Sequence, residues 1–122
     1  MLYALLLYSQ ESDLPENMPE TDRQAFSADF GAFNAELSGK DAFRGAQRLR
    51  TADTATTVRV ESGQALVTDG PFAETKEALA GFFLIEAADL DEAIGWAKKI
   101  PSAHIGSVEI RPIWEGYSGR ED

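Results

Sequence analysis

Apolar and polar positions change rhythm several times along the chain, and each change marks an element. Residues 2–8, Leu-Tyr-Ala-Leu-Leu-Leu-Tyr, are apolar at both odd and even positions. In a strand that pattern means cover on both faces, so an interior strand is expected. Residues 9–20 are polar and carry Pro15 and Pro19, which reads as a surface loop, either a plain connection or a flap. Thr21 with Gln24 three residues on matches a capping box, and Phe26, Phe30, Phe33 and Leu37 then recur at helical spacing until Gly39. The three phenylalanines are expected to be core packed on a sheet rather than a ligand-binding stripe.

Residues 42–49 suit a short strand whose alternation would set Arg44, Arg48 and Arg50 on one solvated face. Residues 56–61 and 64–68 alternate and are β-branched, and Ser62-Gly63 between them suits a two-residue hairpin turn. Residues 81–87 are again apolar on both faces, predicting a second interior strand. Asp89 with Glu92 predicts a capped helix start, Lys98 and Lys99 suit its negative end, and Pro101 stops it. Leu90, Ala93, Ile94, Ala97 and Ile100 supply its buried stripe, and residues 107–113 read as a last strand.

Strand, helix, strand, inserted hairpin, strand, helix, strand is an α+β order, the split βαβ pattern of ferredoxin-like folds. Right-handed crossovers put both helices on one sheet face. The two doubly apolar strands would leave the other face as a large exposed apolar patch, the usual mark of an interface. A face-to-face homodimer is therefore expected. Residues 1–114 read as one domain and 115–122 as a loose C-terminal tail.

Composition sharpens this picture. A length of 122 residues with 43% hydrophobic side chains is enough for one core. Eleven basic against 21 acidic residues give a net charge of −10, a field that disfavours nucleic acid and anionic membranes as partners. Two or three arginines in a pocket could still hold an anion locally. The sequence has no cysteine and one histidine, so no dedicated zinc site, and no other cofactor, is expected; Mg²⁺ held by carboxylates stays open. No apolar run has the length of a membrane span or the flanks of a signal peptide, and a cytoplasmic location is the expectation.

The stretch Thr68-Asp69-Gly70-Pro71-Phe72-Ala73-Glu74-Thr75-Lys76-Glu77, followed by Gly81-Phe82-Phe83-Leu84-Ile85-Glu86-Ala87, resembles the signature of the YCII-related family in its Asp-Gly-Pro-Phe branch. The similarity continues through Leu90-Asp91-Glu92-Ala93-Ile94 and Val108-Glu109-Ile110-Arg111-Pro112-Ile113. The resemblance implies a dimeric α+β barrel, in which two ferredoxin-like sheets enclose a cavity. It also implies enzymatic activity through a His and Asp pair in the wider family, one relative being a dehydrochlorinase of a chlorinated aromatic ring. Some members of the branch occur beside sigma factors. Shorter YCII proteins carry their histidine near the first helix, where this chain has Arg23 and Gln24.

Asp69 matches the signature aspartate, and in a Gly-Pro turn its carboxylate can cap backbone N–H groups or act as a general base. Burial against Phe72 would strengthen it as a base. His104 is the candidate complementary acid, because imidazole exchanges protons near neutral pH. Gly70, Pro71, Phe72 and Arg111 are candidate ligand contacts. Arg111 shares a strand face with Glu109, and it would either hold a substrate anion in the dimer cavity or pair with Glu109 or Glu86. Two functions follow: a small-molecule enzyme or binding protein with its cavity at the dimer interface, including lyase-like proton abstraction by Asp69, or a non-catalytic interaction module of sigma-factor transcription systems. On the first reading, Asp69→Asn abolishes activity or ligand binding in a protein that still folds, as circular dichroism and a binding assay would register.

Overall fold

Why β1 (Leu2–Ser9) lies inside a sheet follows from its side chains. Tyr3, Leu5, Leu7 and Ser9 are buried on one face, while Ala4, Leu6 and Tyr8 are half-buried on the other. The computed structural model describes residues 1–116. After β1 come α1 (Glu20–Gly39), β2 (Phe43–Arg48), β3 (Thr56–Glu61), β4 (Gln64–Asp69), β5 (Ala78–Glu86), α2 (Leu90–Lys99) and β6 (Gly106–Pro112). Four strands form an antiparallel sheet in the order β2-β5-β1-β6, and β3-β4 form a separate two-stranded sheet. This is the ferredoxin-like α+β arrangement with an inserted hairpin.

The core is the helix side of the sheet. Tyr3, Leu5 and Leu7 of β1 and Phe83 and Ile85 of β5 meet Phe33 and Leu37 of α1 and Ala93, Trp96 and Ile100 flanking or within α2. Each large apolar side chain fully removed from water there contributes roughly 1.5–3 kcal/mol. Phe33 stands edge-on to both Phe83 and Trp96, so the two helices are keyed to the sheet through one ring.

Local signals explain most boundaries. Asp89 accepts a hydrogen bond from the Glu92 N–H at 2.9 Å, and Lys98 and Lys99 sit in the last turn of α2. Ser62 and Gly63, with φ of 50° and 79°, form the hairpin turn, a backbone shape that glycine adopts without cost.

Several expectations are corrected. Thr21 does not cap α1: the helix starts at Glu20, and the Pro19 carbonyl accepts the Arg23 N–H at 2.9 Å, so Thr21 lies inside the first turn. The loop over residues 9–20 is two 3₁₀ turns, Glu11–Asp13 and Pro15–Asn17, with Leu14 buried between them. Arg44, Arg48 and Arg50 do not share a face, because a bulge between Phe43 and Gly45 breaks the alternation and Arg50 lies beyond the strand. Leu90 is half-exposed, and Trp96 takes its place in the stripe. β5 begins at Ala78, three residues before the expected strand, because Ala78 and Leu79 pair with Ser9 and Tyr8. Residues 117–122 of the expected tail lie outside the described residues.

At Gly106, paired with Ser9, strands β6 and β1 approach so closely that a Cβ would stand 1.9 Å from the Tyr8 carbonyl oxygen. Gly106→Ala must push the two backbones apart, and overpacking of this kind costs about 1–3 kcal/mol. The expected outcome is a lower Tm by thermal denaturation with the same far-ultraviolet circular dichroism.

Candidate functional site

The N-terminal half of α1 does not close onto the sheet. Phe33 and Leu37 are buried, but Phe30 and Phe26, one and two turns before Phe33, are only half-buried. They stand over a cavity of about 480 Å³ whose floor is Leu7, Gly81 and Phe83. Glycine at position 81 lets β5 lie close against β2, since a Cβ there would meet the Gln47 carbonyl oxygen at 2.7 Å. The volume falls in the range of small-molecule sites, and the walls have the usual make-up of apolar surface with a few polar groups. Ser9, Ser27, Asn34 and Ser102 supply neutral polar atoms, and Arg23 and Arg48 supply positive charge.

One end of the cavity is covered by the two 3₁₀ turns, with Leu14 and Pro15 in its lining. Two side-chain contacts tie this strap to the end of β2 and the turn that follows it. Glu11 accepts from the Ala52 N–H at 2.7 Å, and Arg48 Nη2 donates to both carboxylate oxygens of Glu16, 2.6 Å from Oε2. The Arg48 guanidinium holds the Glu16 carboxyl below its usual range. Arg23 takes part in no ion pair among the described residues.

The residues singled out by the sequence stand elsewhere. Asp69 ends β4 with an exposed side chain, and Phe72 is 79% exposed, so the burial that would strengthen the carboxylate as a base is not present in the single chain. The turn itself is well held: the Gly70 N–H donates to the Ala55 carbonyl at 2.7 Å and the Thr57 hydroxyl donates to the Gly70 carbonyl at 2.8 Å, with Gly70 at φ 98°. Pro71 is exposed. His104 is exposed in the 3₁₀ turn Pro101–His104 after α2. Arg111 lies on the helix-free face and donates to Glu109 Oε2 at 2.7 Å, a pairing that raises its pKa further. Glu86, its other possible partner, accepts instead from the Met1 amine at 3.0 Å. No hydrogen bond among the described residues joins Asp69, His104 and Arg111, and none of the three lines the cavity under α1. The described residues contain no group of three or more acidic or histidine side chains placed to hold a metal ion, and no helix long and apolar enough to cross a membrane.

No spacing in the sequence links Arg23, Phe26, Phe30 and Arg48; they come together only in the folded chain.

Comparison with known proteins follows the fold. A model of the YCII-related domain matches residues 1–116. An uncharacterized protein of Rhizobium meliloti (strain 1021) is 39% identical over 115 residues, covering 93% of this chain and 92% of its own. Among solved structures, the 5-chloro-2-hydroxyhydroquinone dehydrochlorinase of Burkholderia phenoliruptrix, in complex with 2,5-dihydroxybenzoquinone, aligns with a TM-score of 0.53 and 16% identity over 95% of this chain and 96% of that one. At this identity the likeness is one of fold.

The strap contact has a pH signature. Because Arg48 lowers the Glu16 pKa below 4.5 in the folded protein, the stability it adds is complete above that value and is lost as pH falls through the lowered one. Both side chains are largely exposed, so the effect is below about 1 kcal/mol. Glu16→Gln is expected to have a slightly lower Tm than the wild type at neutral pH, and the difference should shrink steadily as pH falls below 4.5; a gap that did not change with pH would point to packing instead.

Proposed function

Because the chain belongs to the YCII-related family, we propose that it binds a small molecule in the cavity between α1 and the sheet. The observation that carries this reading is the cavity itself: about 480 Å³, walled by Leu7, Phe26, Phe30 and Phe83 and rimmed by Arg23 and Arg48. The complex of the structurally similar dehydrochlorinase with a dihydroxybenzoquinone agrees with a fold able to hold a ligand of this size. The site lies on the helix side of the sheet, whereas the chamber expected from the sequence lies between two subunits on the other side.

A homodimer belongs to the same proposal. Leu6, Tyr8, Phe82 and Leu84 form a half-exposed apolar band on the face that the helices leave open. A second copy laid on this band would bury it, as interfaces bury such patches. Placement in the Asp-Gly-Pro-Phe branch rests on the turn sequence at residues 69–72. A proton-abstraction role for Asp69, with His104 as acid, requires the exposed turn to reach a bound molecule. The alternative as a sigma-factor-associated module would use exposed apolar surface, and Val58, Val60 and Val67 of the hairpin, each at least 60% exposed, are what favours it.

Two experiments separate these readings. A screen of one- and two-ring compounds should yield ligands that raise Tm. Ala46→Phe, which places a ring in the cavity from β2, should abolish that rise while leaving the protein folded; an undiminished rise would move the site elsewhere. Leu84→Lys, at the centre of the helix-free face, should turn a dimer into a folded monomer by sedimentation at micromolar concentration, and a wild type already monomeric there overturns the dimer.

A further inference from the structure

The cavity beneath α1 has an unusual charge for this chain. The protein carries 21 acidic and 11 basic side chains, yet the lining contains two arginines and no aspartate, glutamate or lysine. Ionic interactions at physiological salt fade over about 8 Å. A molecule at the cavity mouth therefore meets Arg23 and, once Glu16 is displaced, Arg48 far more strongly than the net charge of −10. The inner walls are apolar and aromatic, with Phe26 edge-on to Phe30 at 5.2 Å and Phe30 parallel to Phe83 at 6.3 Å between ring centres.

We infer that the ligand of this cavity is an organic anion, a flat apolar body carrying a carboxylate or comparable group, and that its anionic end takes Arg48 from Glu16. This rests on the proposed site and specifies its ligand class. The chemistry is already displayed within the chain, because Arg48 binds both oxygens of the Glu16 carboxylate, the geometry in which guanidinium groups recognise such anions. Exchange is easy in energetic terms. Glu16 and Arg48 are 46% and 59% exposed, an exposed pair of this kind is weak, and a released Glu16 returns to water. The ligand's group, held against apolar walls, is better shielded from solvent than Glu16 and gains Arg23 as a second cation.

The exchange also acts on the strap. Glu16 lies in the turn beside Pro15 and Leu14, which line the cavity. Its displacement removes one of the strap's two side-chain ties, while Leu14 stays buried and Glu11 still holds the Ala52 N–H.

The test compares 2-naphthoate with its neutral counterpart 2-naphthalenemethanol, titrated into the full chain by fluorescence or calorimetry at low salt. The naphthoate should bind about tenfold more tightly or better, the scale of a charge-assisted hydrogen-bonded contact. Glu16→Gln should tighten the naphthoate severalfold and leave the alcohol unchanged. Arg23→Gln combined with Arg48→Gln should erase the preference without removing alcohol binding, and Ala46→Phe should remove both. Equal affinity for the two probes, or a preference that survives loss of both arginines, overturns the anion inference while the cavity stands. Unchanged naphthoate affinity in Glu16→Gln overturns the exchange. Failure of both probes to bind overturns the cavity reading together with the inference.

Discussion

The antiparallel seat of β1 between β5 and β6 is the constraint on which the rest depends. A strand shifted by one residue would exchange Tyr3, Leu5, Leu7 and Ser9 for Leu2, Ala4, Leu6 and Tyr8 on the core face. Both sets are mainly apolar, so hydrophobicity alone does not choose between them. Gly106 helps to choose. It stands opposite Ser9, where a Cβ would meet the Tyr8 carbonyl oxygen at 1.9 Å, and the register that seats it puts the buried set under the helices. Gly81 stands opposite Leu7 and is confined from its other side, by the Gln47 carbonyl of β2. The same two positions flank the end of β1 beside the cavity, so what fixes the sheet also shapes the floor of the site.

Much of the fold could be read from local patterns because local physics decided it. The hairpin followed from β-branched alternation around Ser62-Gly63, and α2 followed from the Asp89 cap and the terminal lysines. Elsewhere the pattern misled, once locally and otherwise through tertiary contacts. The Thr21-Gln24 spacing is that of a capping box, but the helix begins at Glu20, where the Pro19 carbonyl is already in position to accept. Strand alternation at residues 44, 48 and 50 assumed an unbroken ladder, and the bulge after Phe43 is visible only once β5 is its partner. Leu90 was assigned to the stripe by spacing, yet the face of α2 that meets Phe33 is centred on Trp96.

The site was harder to read than the fold for a related reason. Asp69 and its Gly-Pro turn are conspicuous because they are contiguous, and contiguous residues stand out in one dimension. The cavity draws its charge from the first turn of α1 and the end of β2, its rings from α1 and β5, and its cover from two 3₁₀ turns. No spacing rule links these positions. The phenylalanine stripe was read as uniform core, whereas it divides: Phe33 reaches Trp96, and Phe26 has nothing of that size beneath it. By spacing Arg48 is one of three solvated cations, and its pairing with Glu16, 32 residues earlier, is a tertiary fact.

The β3-β4 hairpin shares no strand pairing with the main sheet, and a two-stranded ribbon has little stability of its own. Its amides should therefore exchange with solvent through openings that leave the central strands shut. Freed from the cooperative unit, the tip of this segment around Ser62-Gly63, away from Thr68 and Asp69, can accept sequence changes over generations without disturbing β1 and its neighbours.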